Sequence, residues 1–167
     1  LRELAAGRIA DGALVERAIL ARLRQMTEEE FAAYDGGGEG LYHRVYDAVR
    51  RCATVEELLA AVKTKRYTAA RLRRMVLSAW LGLPKAPETV PYARVLAANE
   101  TGRALLRQMR KAGAPVLTKA ADVAALGSGA EALFRREAGY TDLYTLAYTD
   151  LAQAVPGSDW RLTPVMK

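Results

Sequence analysis

One cysteine and one histidine among 167 residues exclude most side-chain chemistry from the outset. Cys52 alone builds no internal disulfide and no thiolate metal cluster, which points to a reducing, cytoplasmic compartment. His43 alone removes catalysis by paired imidazoles, and no His, Cys and carboxylate set falls at metal-ligand spacing, so neither catalytic residues nor metal ligands are assigned. The apolar runs are broken by charges well short of the roughly 20 residues a membrane-crossing helix needs. No secretory signal opens the chain. Leu1 is not a methionine and residues 1–26 already read as helical, so the chain is expected to begin in mid-protein. The carboxylates of Glu28, Glu29 and Glu30, and of Glu56 and Glu57, fall at helix starts, where the dipole favours them, rather than as an acid–base pair.

What is abundant is positive charge. Lys and Arg number 25 against 19 Asp and Glu, a formal excess of +6. Six cations fall within residues 63–74, at Lys63, Lys65, Arg66, Arg71, Arg73 and Arg74, with no carboxylate among them. A run that cannot neutralise itself is best matched by a polyphosphate surface. Tyr67 adds a ring able to stack on a base or to pack the loop, and Thr68 a hydroxyl able to cap a helix. An amphipathic helix with a solvated basic side is the alternative reading of the same run.

With 51% hydrophobic residues, 1–167 is expected to form one mainly α, multi-helix domain. Periodicity predicts helices over 12–26, from a Thr27/Glu30 capping box to Tyr34, over 41–52, from a Thr54/Glu57 box to the basic run, and from Thr68 to Gly82. Asp35-Gly36-Gly37-Gly38 reads as a break, and Pro84 and Pro87 stop the last of these helices. Two short apolar runs, Tyr92 to Ala97 and Pro115 to Thr118, flank a helix capped by Asn99 and running to about Ala112. They predict a small parallel βαβ element holding the only regular strands. That helix carries Arg103, Arg107 and either Arg110 or Lys111 along one side. Helices over 120–127 and 130–138, a further one from Thr141, and an irregular tail over 156–167 complete the reading.

The order of certain segments carries more than composition does. Glu39-Gly40-Leu41 with Arg44, Glu56-Glu57-Leu58, Val62-Lys63-Thr64-Lys65-Arg66-Tyr67-Thr68 with Arg71 and Arg74, Pro91-Tyr92-Ala93-Arg94-Val95-Leu96, Gly102-Arg103, Thr118-Lys119 and Thr141-Asp142-Leu143-Tyr144 follow one another. From about Leu14 to Val165 the chain resembles the C-terminal half of the bacterial tRNA(Met) cytidine acetate ligases. It departs at Tyr42-His43, where that family has Glu-Asn, and at Ala97-Ala98-Asn99, where the family has Gly-Phe-Asn; Arg44 stays in register. The resemblance implies an enzyme that uses ATP with Mg, and acetate, to acetylate the wobble cytidine of elongator tRNA(Met). Its nucleotidyltransferase chemistry would lie in an N-terminal domain with a His-Xaa-Gly-His signature, which these residues lack.

Two readings follow. In the first the chain is the tRNA-binding domain of such a ligase, inactive by itself, with tRNA and its own N-terminal domain as partners. Lys63, Lys65, Arg66, Arg71, Arg73 and Arg74 would neutralise phosphates, with Tyr67, Thr68, Arg44, Arg94 and Arg103 completing the RNA-binding set. In the second it is a helical docking module that binds no RNA, steered by charge and held by an apolar patch.

Overall fold

The computed structural model describes residues 2–34, 40–83 and 89–167. The Asp35-Gly36-Gly37-Gly38 break, Glu39, Pro84 and Pro87 lie outside the described residues. Where one domain is expected, the contacts separate two compact units, Ala10–Ala86 and Leu1–Ile9 with Pro87–Lys167.

The expected opening helix is divided. A single turn, α1 (Arg2–Ala5), is followed by Gly7 in the left-handed region at φ 65°, and α2 (Gly12–Gln25) starts afresh from Asp11, whose carboxylate accepts from the Ala13 N–H at 2.9 Å. Gly7 is required where it stands. A Cβ there would sit 2.5 Å from that of Asp150, against which this segment is bonded.

Within the helical unit, α3 (Glu28–Ala32) begins at the expected capping box, with Thr27 and Glu30 bonding reciprocally. α4 spans Leu41–Val49 and α5 Val55–Val62. At Thr54 the hydroxyl accepts from Glu57 N–H at 3.1 Å, while the Glu57 carboxylate reaches one residue further back, to the Ala53 N–H. α6 (Ala69–Leu81) is capped by Thr68 and ends at Gly82, whose φ of 70° suits a residue without Cβ. The i, i+3, i+4 spacing of Leu72, Met75, Val76 and Ala79 buries one face of α6, and α6 packs on α2 and α5. Val15, Ile19, Leu20 and Leu23 of α2, Phe31 of α3, Val45 and Val49 of α4, and Leu58 and Val62 of α5 fill the same unit. Leu14 and Ala18 of α2 are exposed.

The mixed unit contains the expected strand-helix-strand path and more. β1 (Ala93–Arg94) pairs in parallel with β3 (Val116–Leu117), with Ala93 opposite Val116. The intervening helix, α7 (Glu100–Lys111), is capped by Asn99 as predicted. The run from Tyr92 to Ala97 is not one strand, however. The chain leaves the first ladder after Arg94 and forms β2 (Ala97–Ala98), which pairs in parallel with β4 (Val165–Met166). The tail is therefore ordered, against expectation, by N–H bonds from Val165 to the Leu96 carbonyl and from Lys167 to that of Ala98. Two exposed residues after Pro164 have no periodicity of their own, and only the pairing makes them a strand.

Residues 120–126 form a 3₁₀ helix, and the two helices expected beyond it merge into one, α8 (Ser128–Thr145). Gly139 does not break α8, because Leu133, Phe134 and Ala138 are buried around it and outweigh a helix-interior glycine's cost of about 1 kcal/mol. Thr141 does not start a helix; its hydroxyl donates back to the Glu137 carbonyl at 3.3 Å. The last helical turn is α9 (Ser158–Arg161), which packs on α8 and brings Trp160 edge-on to Phe134 at 4.8 Å between centroids. Tyr92, Leu117, Ala120, Val123, Ala130, Leu133 and Phe134 form the core of this unit.

Candidate nucleic-acid interface

The basic run is shaped by the junction between α5 and α6. Lys63 ends α5, its N–H bonded to the Leu59 carbonyl at 3.0 Å. Thr64 then closes a turn on Tyr67, its N–H bonding the Tyr67 carbonyl at 3.2 Å and its hydroxyl accepting from the Tyr67 N–H at 3.0 Å. That closure leaves Lys65 and Arg66 at the tip, both exposed. Thr68 accepts from the Arg71 N–H and sets the start of α6, where the Arg73 and Arg74 side chains emerge opposite the buried face. Among the described residues no carboxylate stands within ion-pair distance of Lys63, Lys65, Arg73 or Arg74. Among the described residues these four cations have no carboxylate partner, which leaves them to salt, water or an added anion there.

Tyr67 does not face solvent. The residue is 6% exposed, and its ring centroid stands 5.8 Å from the Arg66 guanidinium and 5.5 Å from that of Arg71. Packing the loop onto the helix, the second of its two expected roles, is the role the ring fills here. Arg71 is half-buried as a consequence. Arg44 is exposed on α4, beside Asp47, Arg51 and Ala61 around a concavity of about 230 Å³.

The remaining sequence-derived residues lie in the other unit. Arg94 is paired with Asp159 at 2.7 Å, with its guanidinium 5.0 Å from the Phe134 ring centroid. It holds β1 to α9. Arg103 is exposed on α7, where Arg107, Arg110 and Thr118 stand with it around a smaller concavity. Thr118 was legible only as part of a motif, and Arg110 as one of two choices. The register between α7 and β3 is what selects Arg110, whose guanidinium donates to the Thr118 hydroxyl at 2.5 Å.

His43 is bonded through Nδ1 to Glu28, and Cys52 is half-buried, its carbonyl accepting from Arg24 at 2.9 Å. The described residues contain no group of three or more His, Cys, Asp or Glu side chains placed to hold a metal ion. No helix among them is long and apolar enough to cross a membrane.

A model of the family described as HIGH Nucleotidyl Transferase matches residues 3–157. The chain belongs to that family. It is 34% identical over 134 residues to the tRNA(Met) cytidine acetate ligase of Thermoanaerobacter sp. strain X514, covering 77% of this chain and 32% of that protein. The ligase of Kosmotoga olearia is 40% identical over 109 residues, covering 61% of this chain and 26% of the relative. The chain thus spans about a third of the length of the curated relatives it matches. The solved apo structure of Thermotoga maritima TmcAL superposes with a TM-score of 0.88 over 99% of this chain and 43% of that one, at 23% identity. A second crystal form of the Thermotoga protein, bound with alpha-thio ATP, gives 0.87. The likeness fixes the fold: α-helices with short parallel strand pairs, shared with the Thermotoga maritima protein.

Proposed function

We propose that these residues are the tRNA-binding, C-terminal part of a tRNA(Met) cytidine acetate ligase. The observation that carries the proposal is the exposed surface of Lys63, Lys65, Arg73 and Arg74, without a carboxylate partner among the described residues. Such a surface gains most from a phosphate backbone, where each contact releases a condensed counterion. Backbone contacts position an RNA without reading its sequence, which suits a part that presents a target base to chemistry elsewhere.

ATP with Mg, acetate and the acetylation of the wobble cytidine are carried over from the relatives' activity, and tRNA and an N-terminal nucleotidyltransferase domain are the partners. Among the described residues no group of three or more His, Cys, Asp or Glu side chains is placed to hold a metal ion, and no step of that chemistry is assigned to them. Neither ATP hydrolysis nor acetyl transfer is expected from this chain by itself.

A second reading has its own observation. Leu96, Leu105, Leu162 and Val165, each more than half exposed, gather around β2 and β4 in the mixed unit, and an apolar surface of this kind suits a protein partner. The two readings separate in a titration with fluorescently labelled elongator tRNA(Met). RNA binding requires measurable affinity at low salt that falls steeply as salt rises, whereas a docking module shows no tRNA affinity at any salt.

A further inference from the structure

The mixed unit carries a second cluster of cations that the basic run does not explain. Arg103, Arg107 and Arg110 recur at i, i+4 and i+7 on α7, so their side chains leave the helix on one side. They line a concavity of about 180 Å³ whose other walls are Leu106, Thr118 and Met166, from α7 itself, the end of β3 and β4. No residue of α7 is buried, so the helix lies over the two strand pairs with its polar edge in solvent. Among the described residues Arg103 and Arg107 have no carboxylate within ion-pair distance. Arg110 is held at the rim by its bond to the Thr118 hydroxyl.

We propose that this concavity binds backbone phosphates of the RNA, as a second contact site in a different unit from the basic run. The inference rests on the RNA-binding reading above. Guanidinium groups match phosphate oxygens bidentately, and three of them facing one hollow with no carboxylate partner among the described residues form a site for an oxyanion. From Arg103 to Arg110 the helix rises about 10 Å, more than one phosphate group occupies, which favours consecutive phosphates of a strand. The walls contain no aromatic ring to hold a base, so the site grips backbone and reads no sequence. Fixing Arg110 on Thr118 sets one fork before the strand arrives.

The test compares the intact protein with R103Q/R107Q, two exposed positions whose replacement keeps helix propensity. Binding of labelled tRNA is followed from low to moderate salt, with ATP as a separate ligand. The site predicts roughly tenfold weaker tRNA binding at low salt, a salt dependence lowered by about two phosphate contacts, and an unchanged far-ultraviolet helical signal. The charge-retaining R103K/R107K is expected to recover most of the salt dependence but not all of the affinity, since lysine keeps the charge and loses the fork. If the parent binds tRNA and R103Q/R107Q binds it equally well, the α7 site is wrong while the RNA reading stands. If the parent fails to bind tRNA at all, the RNA reading falls and this site with it. Loss of ATP binding in R103Q/R107Q with tRNA affinity intact would make the hollow a nucleotide site and overturn the inference.

Discussion

Arg94 and Asp159 form an ion pair of 2.7 Å that joins β1 to α9, with the Asp159 side chain only 8% exposed. The guanidinium also donates to the Asp159 carbonyl at 3.3 Å and lies over the Phe134 ring, so one side chain ties a strand, a late helix and the core together. The sequence sets Arg94 within the Pro91–Leu96 family motif and suggests RNA. Its partner lies 65 residues away, and no local pattern announces it.

The pair predicts a large asymmetry on mutation. Asp159→Ala leaves a poorly solvated guanidinium and is expected to destabilise the protein by about 3 kcal/mol in denaturant melts, since removing one partner of a buried pair costs several kcal/mol. Loss of tRNA affinity at temperatures where the variant stays folded is expected to be small. A destabilisation under about 0.5 kcal/mol, the range of an ordinary surface change, would contradict the structural role given to Arg94.

Tyr92 offers a pH test. Its phenol donates to the Glu137 carboxylate at 2.6 Å, and burial first, then that hydrogen bond and the Glu137 charge, raise its pKa far above the ordinary value near 10. A group whose folded pKa is raised contributes stability that is fully present below the unfolded pKa and lost as pH rises toward the folded one. In the window above about pH 10 the native state therefore holds a proton the unfolded state has released, and stability falls with pH. Tyr92→Phe is expected to lose about 1 kcal/mol at neutral pH through the missing bond and to flatten the alkaline decline. Equilibrium unfolding of both forms from pH 7 to 11 measures this, and parallel declines would contradict it.

Thr68 separates a cap from a contact. Its hydroxyl accepts from the Arg71 N–H at 3.4 Å and starts α6. Thr68→Ala is expected to cost about 1 kcal/mol of stability, while Thr68→Ser retains most of it. Binding of tRNA to the folded Ala variant is expected to change little. A loss of RNA affinity as large as that from removing Arg74, with stability unchanged, would make Thr68 a ligand and not a cap.

The legible parts of the fold were those written locally. The Thr27 box, the Asn99 cap, the Gly82 stop and the inward face of α6 each depend on residues within one or two turns, and each stands where its spacing placed it. The misplaced parts depend on distant partners. β4 exists through β2, nearly 70 residues earlier, and Gly139 stays helical because Phe134 and Ala138 are buried beside it. The same division runs through the candidate site. The charge of the 63–74 run is visible in the sequence, but Thr64 closing on Tyr67 decides that the ring turns inward while Lys65 and Arg66 turn outward. Arg107, Arg110 and Thr118 meet only because β3 returns beneath α7.

Exposed cations at the α5–α6 junction and on the start of α6 are expected to bind the tRNA backbone, which is measured most directly by tRNA affinity against salt for the intact protein and for K65Q/R73Q/R74Q. These three side chains are exposed and leave the buried face of α6 and the Tyr67 packing untouched. The triple variant is expected to keep its helical signal, to bind tRNA at least tenfold more weakly at low salt, and to lose about three phosphate contacts from its salt dependence. Equal affinity and an equal slope in parent and variant would show that the basic run is a solvated face, and would contradict the claim.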